Sequence, residues 1–301
     1  MIKKNVFTVI LIICSKLLFA QTQYQDSLYA VVDKTTYGFK TANNEILQYD
    51  FYIAPNAGEA LPLLVFVHGG GFYGGSRDHP DVQSFATKLA QRGYAVASVS
   101  QRLTLKDIGF DCDTEASKKV AAINSASYDV TQAIRNMITN KNMLHINPDQ
   151  IIIAGSSTGA YTVLNMAYGY DNANLPAGFK YAGVISMAGA LTTLDHINEE
   201  TAVPTLFFHG TGDGWVPYET GPHSYCGSRN PGYLMLYGSA PIARRLKGLD
   251  SSYYLFTANG GSHYWSFKPL TSYFHVVLDF LFYDIINNNP RQTEQSINEN
   301  K

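Results

Sequence analysis

The residues with the clearest chemical potential form a Gly-Ser-Ser-Thr-Gly run at positions 155–159. The run follows an apolar segment that predicts a strand and precedes a segment that predicts a helix. A serine on such a sharp turn adopts a strained backbone conformation, so flanking glycines relieve collisions and the hydroxyl stands clear of the sheet. Ser157 is therefore the candidate nucleophile. Ser156 is a weaker candidate because glycines do not flank it symmetrically, and a plain packing turn is the alternative interpretation.

A second glycine-rich run, His-Gly-Gly-Gly-Phe at positions 68–72, follows the apolar strand pattern 63–67. Backbone amides approach a negatively charged tetrahedral oxygen only where no side chain intervenes, and glycines provide that access. We predict an oxyanion hole formed by the amides of Gly70, Gly71 and Thr158. A phosphate-binding loop is disfavoured because no Gly-Lys-Ser/Thr follows, while a plain turn between strand and helix remains the alternative.

The candidate acid and base each follow a later strand pattern. Asp213 ends the run Pro-Thr-Leu-Phe-Phe-His-Gly-Thr-Gly-Asp, so it emerges at the carboxyl end of a strand, where ligands collect in open α/β sheets. His263 follows a flexible Asn-Gly-Gly-Ser turn that can carry an imidazole to a serine on a neighbouring strand. His263 would take the serine proton, and Asp213 would fix the imidazole tautomer. Asp195 is the rival acid, and His275, within a helical pattern, is a weaker base.

Strand and helix patterns alternate along the chain. Apolar strand patterns lie at 63–67, 94–99, 151–154, 182–187, 205–208 and 253–256, and helical patterns at 81–92, 114–143, 161–168, 239–248 and 271–287. Such alternation predicts an α/β fold with a mostly parallel central sheet and helices on both faces. Residues 47–54 alternate in polarity and predict an antiparallel edge strand. We predict one catalytic domain over residues 21–287 and a polar, disordered tail over residues 288–301.

Composition and the first residues bear on location and partners. The 301 residues are 46% hydrophobic and 15% charged, and no basic cluster suggests nucleic acid or anionic lipid as a partner. Residues 1–20 predict a cleavable signal peptide, because Lys3 and Lys4 precede an apolar run that leads to the small residue Ala20. That run is too short to span a bilayer. We therefore expect a secreted or periplasmic protein without a membrane anchor, with 19 basic and 24 acidic residues after cleavage.

Two cysteines, Cys112 and Cys226, would remain after export. Cys112 follows the strand pattern that ends near Val99, and Cys226 follows the strand that carries Asp213. Because both loops leave the same edge of the sheet, we predict a disulfide between them. No Cys-x-x-Cys or His/Cys cluster indicates a metal site, and we expect no cofactor.

In these motifs the chain resembles the carboxylesterases of the α/β-hydrolase superfamily that carry a His-Gly-Gly-Gly oxyanion loop. It also resembles their exported bacterial relatives among feruloyl- and acetyl-esterase-like enzymes. The resemblance covers most of residues 45–285 and follows the family order of nucleophile, acid and base. It implies an α/β-hydrolase fold and serine-dependent ester hydrolysis. Ser156 and Thr158 depart from the Asp and Ala usual in one branch, and the Asp213 turn resembles dienelactone hydrolases and prolyl oligopeptidases.

The predicted cleft is open, because only about seventeen residues separate the strand patterns 182–187 and 205–208, too few for a large helical cap domain. We expect short-chain or bulky aromatic acyl groups, carried by a small-molecule or glycan-linked ester. Ordinary loop packing is the alternative role for the aromatic residues beside the catalytic motifs. The candidates for substrate binding are Phe72, Tyr73, Trp215, Tyr218, Tyr264 and Trp265.

A secreted serine carboxylesterase that forms an acyl-enzyme on Ser157 is the function that these features favour. A serine peptidase of the prolyl-oligopeptidase type is the first alternative, although the chain has no room for the propeller that such enzymes carry. A non-catalytic binding protein on a hydrolase fold is the second alternative, although such proteins tend to lose triad residues.

Overall fold

The structure, a computed structural model, describes residues 23–41, 44–169 and 174–299, and the predicted signal peptide lies outside these ranges. The strands are β1 (Asp33–Lys40), β2 (Ile46–Ile53), β3 (Leu61–Val67), β4 (Ala95–Val99), β5 (Ile146–Ser156), β6 (Gly183–Met187), β7 (Thr205–Gly210), β8 (Thr220–Pro222), β9 (Met235–Tyr237), β10 (Tyr253–Asn259) and β11 (Gln292–Asn298). One large sheet has the order β1-β2-β4-β3-β5-β6-β7-β10-β11, and β8 and β9 form a separate antiparallel pair.

Every pairing in the large sheet from β4 to β11 is parallel. The antiparallel pairings join β2 to β1 and to β4. The predicted strand at 47–54 therefore forms, but its prediction as an edge strand is wrong. β1 pairs with β2 along its whole length and takes the edge position, with mostly exposed side chains that gave no apolar pattern.

The helices are α1 (Pro80–Ala90), α2 (Ala116–Thr139), α3 (Thr158–Tyr168), α4 (Ser239–Lys247) and α5 (Phe274–Phe280). They cover both faces of the sheet, so central strands are apolar on both sides. In β5, Ile151 and Ile153 pack into one hydrophobic cluster, whereas Ile152 and Ala154 pack into another. The predicted fold class is thereby confirmed. Among the described helices, none combines the length and apolar composition needed to cross a membrane.

The C-terminal segment differs from its prediction as a disordered tail. After α5 the chain continues as a π-helix, Leu281–Ile286, and then returns to the sheet as β11, parallel to β10. The Arg291 guanidinium pairs with the buried Asp284 carboxylate at 2.8 Å and anchors this return. Strand pairing through the backbone places few demands on side chains, which explains why a polar sequence forms an edge strand. The predicted boundary at residue 287 is therefore wrong.

A disulfide joins Cys112 and Cys226, as predicted, across a sequence separation of 114. It links the loop after β4 to a short 3₁₀ turn, His223–Tyr225, that precedes β9. Between β6 and β7, residues 188–204 form turns and bends without a helix. The described residues between β6 and β7 therefore form no helical cap, and a disulfide holds two loops at the carboxyl edge of the sheet together.

Candidate active site

Ser157 lies on a sharp turn between β5 and α3, with φ 52° and ψ −121°. This left-handed region is strained for a residue with a side chain, and such strain is common at functional sites. The flanking glycines are required by close backbone contacts. A Cβ added to Gly155 would lie 2.2 Å from the Gly159 oxygen, and a Cβ added to Gly159 would lie 2.1 Å from the Val67 oxygen. The turn therefore holds β3, β5 and α3 close together beneath the serine.

The structure brings the three predicted triad residues into hydrogen-bond contact. The Ser157 hydroxyl lies 2.8 Å from Nε2 of His263, and Nδ1 of His263 lies 2.7 Å from Oδ2 of Asp213. An ionised carboxylate only accepts hydrogen bonds, so Nδ1 carries the proton and Nε2 accepts the serine hydroxyl proton. This arrangement can activate a serine hydroxyl for attack on a carbonyl carbon.

The Asp213 carboxylate is buried and held by four donors. Its Oδ1 accepts the backbone amides of Trp215 and Val216, each at 2.9 Å. Burial by itself would raise the pKa of Asp213, but the hydrogen bonds from His209 and His263 outweigh burial and lower that pKa well below its usual value. Asp213 therefore remains a carboxylate where His263 requires one.

The loop that carries His263 is braced from beneath and from the chain end. The Ser156 hydroxyl donates to the Ser266 carbonyl at 2.8 Å, so this rival serine points away from the imidazole. The buried Trp265 donates its indole N–H to Glu299 at 2.8 Å, and Lys268 pairs with the same carboxylate. Glu299 directly follows β11, so the C-terminal strand supports the catalytic loop.

The remaining rival residues lie outside the triad. Asp195 is exposed and its amide bonds to Thr193 within its own turn. His275 is exposed on α5 and packs beside the Tyr273 ring. Among the described residues, no group of three or more His, Cys, Asp or Glu side chains is arranged to hold a metal ion.

Of the three predicted oxyanion-hole amides, two are available in this structure. No described residue accepts a hydrogen bond from the Gly70 amide. Thr158 is the first residue of α3, and the N–H groups of the first helical turn have no acceptor within the helix. The Gly71 amide instead donates to the Thr158 hydroxyl at 3.1 Å. For the Gly71 N–H to bind an oxyanion, its hydrogen bond to the Thr158 hydroxyl would have to break or become bifurcated.

A cavity of about 490 Å³ lies directly beside the triad, within the usual range for small-molecule sites. It includes Ser157, His263 and the oxyanion residues Gly70, Gly71 and Thr158. The remaining lining residues are Tyr73, Gly109, Phe110, Asp111, Tyr161, Trp215, Val216, His223, Ser224 and Phe267. Trp215 is 63% exposed, and its ring centroid lies 4.9 Å from that of His263, at the mouth of the cavity.

Two of the six predicted substrate-binding aromatics, Tyr73 and Trp215, line this cavity, and the other four predictions are wrong. Phe72 and Trp265 are fully buried in the core. Tyr218 packs on His209 and bonds to Thr257, and Tyr264 is an exposed residue outside the lining. Proximity in sequence to a catalytic motif does not determine the direction of a side chain, because neighbouring residues on a turn point to different sides.

The sequence prediction missed the other eight of these lining residues, and three of them carry rings with hydrogen-bonding or apolar surface: Phe110, Tyr161 and His223. Phe110 and His223 are supplied by the two loops that the disulfide joins, and Tyr161 lies one helical turn after the nucleophile. The spacing of Tyr161, four residues after Ser157, is a signal that could have placed it beneath the site. Phe110 and His223 carried no comparable signal, apart from the nearby cysteines.

Comparisons with known proteins find relatives of part of the sequence. Residues 49–185, somewhat less than half of the chain, match the family model described as BD-FAE. Over 111 residues the chain is 34% identical to "Gut esterase 1" of Caenorhabditis elegans. That match covers 37% of this chain and 19% of the nematode protein, so the chain spans about a fifth of that relative's length.

Solved structures share the fold at low sequence identity. The esterase Est22 is 15% identical with a TM-score of 0.59, covering 89% of this chain and 86% of its own. Thermogutta terrifontis esterase 2, in a form phosphorylated by paraoxon, is 17% identical with a TM-score of 0.62, covering 86% of this chain and 96% of its own. The chain therefore shares the fold of these esterases, and its site holds Ser157, His263 and Asp213 in hydrogen-bond contact.

Proposed function

We propose that the protein is a serine carboxylesterase that hydrolyses short-chain or aromatic acyl esters through an acyl-enzyme on Ser157. The observation that carries this proposal is the continuous contact from Ser157 through His263 to Asp213, at 2.8 and 2.7 Å, opening onto a cavity of about 490 Å³. Thermogutta terrifontis esterase 2 has been solved with propionate bound, which supports a short acyl group.

The reaction follows from the contacts. The Ser157 oxygen attacks the ester carbonyl carbon while its proton moves to Nε2 of His263. The amides of Gly70 and Thr158 stabilise the negative oxygen of the tetrahedral intermediate, and each such donor contributes a factor of about 10²–10³ in turnover. His263 then gives its proton to the leaving alcohol oxygen as the carbon–oxygen bond breaks. Water attacks the acyl-enzyme by the same route in reverse, and the carboxylic acid is released.

A fluorophosphonate probe tests the nucleophile, because it labels an activated serine covalently. We expect the parent protein to be labelled and Ser157→Ala to be unlabelled. Ser156→Ala is a matched control, since it removes the neighbouring hydroxyl, which bonds to the Ser266 carbonyl on the other side of the loop. Equal labelling of the parent and Ser157→Ala would refute the catalytic assignment.

A substrate series tests the class of reaction. We expect 4-nitrophenyl acetate and butanoate to be hydrolysed faster than the octanoate, and aryl-acyl esters to be accepted. Aminoacyl anilides should not be hydrolysed, since they carry an amide bond and the proposed activity is ester hydrolysis. Hydrolysis of the anilides at rates comparable to the esters would favour the peptidase alternative, and inertness toward both would favour a non-catalytic role.

We also propose that the enzyme is exported, on the evidence of the N-terminal sequence pattern and the disulfide between Cys112 and Cys226. Disulfides persist in oxidising compartments and are rare in the cytosol. Mass spectrometry of the protein from its native host should find a mature N-terminus at Gln21 in a periplasmic or extracellular fraction. An intact chain starting at Met1 in the cytosol would contradict export.

A further inference from the structure

Lys119 is a fully buried cation in the wall behind the cavity. It lies on α2, where its ammonium nitrogen is 3.2 Å from Nδ1 of His223 and 2.9 Å from the Gly232 carbonyl oxygen. A third direction faces the Phe110 ring, whose centroid lies 5.4 Å away. Within the described part of the chain, no carboxylate lies at ion-pair distance from this lysine. Its partners are therefore a carbonyl, an aromatic face and one imidazole nitrogen.

This contact determines which nitrogen of His223 carries the proton. An ammonium group has three donors and no acceptor, so Nδ1 of His223 must be the acceptor. In a neutral imidazole the proton is then on Nε2. Burial and the Lys119 charge lower the pKa of His223 to about 3, so a second proton does not bind near neutral pH. Lys119 thereby holds His223 as an uncharged Nε2–H donor.

His223 lines the cavity, and its Nε2 has a weak partner. The nearest acceptor is the hydroxyl of the adjacent Ser224, at a long 3.4 Å. On the other side of Phe110 lies Tyr161, whose buried hydroxyl has no hydrogen-bond partner among the described residues. The Phe110 ring centroid is 4.5 Å from that of His223 and 6.1 Å from that of Tyr161. The apolar Phe110 ring thus lies near two hydrogen-bonding groups, the Tyr161 hydroxyl without a partner and Nε2 of His223 with one long contact.

The charge around these groups indicates the kind of ligand atom. Asp111 also lines the cavity and interacts electrostatically with His223; its Oδ1 accepts the amides of Asp113 and Thr114, and its Oδ2 accepts from neither. It would repel a ligand carboxylate and accept a hydrogen bond from a hydroxyl. A hydroxyl group can accept from His223 and donate to Asp111, whereas a methyl group of similar size can do neither. A methyl analogue would leave the polar groups of the site unpaired in the complex. The free-energy cost of those unpaired groups is the basis of discrimination between hydroxyl and methyl analogues.

We propose that Phe110, Tyr161 and His223 form a subsite that binds a hydroxyl-bearing part of the ester substrate, with Lys119 as the positioning residue for His223. The proposal rests on the esterase function proposed above and deepens it. It assigns a substrate class, hydroxylated esters, to a wall of the cavity that the catalytic residues do not occupy.

Matched ester pairs that differ by a hydroxyl in place of a methyl test the subsite. In one set the hydroxyl replaces a methyl group on the acyl half of the ester, and in a second set it does so on the alcohol half. Within each set, the distance of the replaced group from the ester carbonyl carbon increases from pair to pair. For at least one pair we expect the parent enzyme to prefer the hydroxyl ester by about 10-fold in kcat/KM, the effect of one neutral hydrogen bond or two. A parent enzyme that hydrolyses neither member refutes the esterase function, whereas equal hydrolysis of both members in every pair refutes only the subsite.

Variants connect the preference to the residues. His223→Phe removes the donor, and Tyr161→Phe removes only the unpartnered hydroxyl, so the second variant remains informative where the first folds poorly. We expect each variant to reduce the ratio of kcat/KM for the hydroxyl ester to kcat/KM for the methyl ester to about 2-fold or less. Tyr225→Phe is the matched control, because this exposed tyrosine lies on the same turn as His223 and outside the cavity lining. A preference that either cavity variant leaves unchanged overturns the proposal.

Lys119→Met tests the positioning role with a side chain of similar length and no charge. Without the ammonium, Nδ1 of His223 is free to carry the proton and Nε2 is no longer fixed as a donor. We expect the preference for the hydroxyl ester to fall while kcat/KM for the methyl ester stays within about 2-fold of the parent. A merely structural role would lower kcat/KM for the hydroxyl ester and the methyl ester by the same factor, and that result would remove Lys119 from the proposal.

Discussion

Removal of the disulfide is the perturbation whose effect can be worked from the structure in most detail. Cys112 and Cys226 are 114 positions apart, so the crosslink closes a loop that spans more than a third of the chain. The chain-entropy relation for a loop of this size gives about 16 cal/mol/K, or about 5 kcal/mol at 25 °C. For a chain of this length such a loss lowers the melting temperature by about 10 °C.

The structure also indicates what the disulfide should leave intact. The crosslink joins the loops that carry Phe110 and His223, and neither Cys112 nor Cys226 lines the cavity beside Ser157 and His263. Turnover of a simple acetate ester below the melting temperature should therefore change by no more than a few fold. The KM for esters that reach the Phe110 wall should rise, because both sides of that wall lose their constraint.

Calorimetry and urea unfolding of the double variant Cys112→Ala/Cys226→Ala provide the assay. Cys112→Ala is the control, since it breaks the same crosslink and differs only in retaining one buried thiol. Both variants should lose about the same stability, and reductant should not affect either further. A double variant that melts within 2 °C of the oxidised parent would refute the loop-entropy reasoning, and a collapse of acetate turnover would refute the separation of crosslink and triad.

Three further outcomes are expected. Asp213→Asn should lower kcat by about 10⁴ with little change in KM, because an amide against Nδ1 of His263 no longer selects the required tautomer; stopped-flow or steady-state hydrolysis near parental rates would contradict this. Glu299→Ala should lower stability by about 1–3 kcal/mol, since it leaves the buried Trp265 indole N–H unpaired, and Glu299→Gln should restore most of the loss in urea unfolding. His223→Phe should flatten the pH dependence of stability, because the folded protein leaves His223 unprotonated down to about pH 3 while the unfolded chain protonates it below about 6.5. The parent should lose up to about 1.4 kcal/mol per unit of falling pH from this group, and equal slopes of unfolding free energy against pH would count against it.

The proximity of the three triad candidates could be predicted from sequence because parallel-sheet topology places them at one edge. Ser157, Asp213 and His263 each follow a buried strand, and the carboxyl ends of parallel strands meet at one edge. The glycine requirement at the nucleophile turn is equally local, since it reflects backbone contacts within a few residues. Site residues that lie at strand ends or in tight turns can therefore be predicted from the sequence.

The cavity wall could not be predicted in the same way, because it depends on side-chain directions in loops. Trp265 and Tyr264 are neighbours, yet one is fully buried and the other exposed. On α2 the buried face contains Ile123, Ala126 and Val130, and Lys119 lies on the same face, one turn before Ile123. A lysine at this position of the helical repeat was a signal of a buried cation, but only the folded loops show what it contacts.

The C-terminal strand was missed because a segment such as Gln-Thr-Glu-Gln-Ser-Ile-Asn lacks the alternation of a half-buried strand. Its pairing with β10 is made by the backbone, supported by side-chain contacts such as Tyr253 with Glu294 at 2.7 Å. Neither feature is encoded in local hydrophobic periodicity. Edge strands of this kind become visible only when the partner strand is in place.

The contacts of Glu299 with the histidine loop tie the catalytic base to the C-terminal end of the described chain. The nucleophile, oxyanion loop and acid are all translated by residue 213, whereas the base arrives fifty residues later and its support is among the last residues of the described chain. A chain that ended before β11 would therefore keep all three triad residues and lose the contacts of Glu299 with Trp265 and Lys268. The turnover of such a chain would measure how far the catalytic base depends on one edge strand.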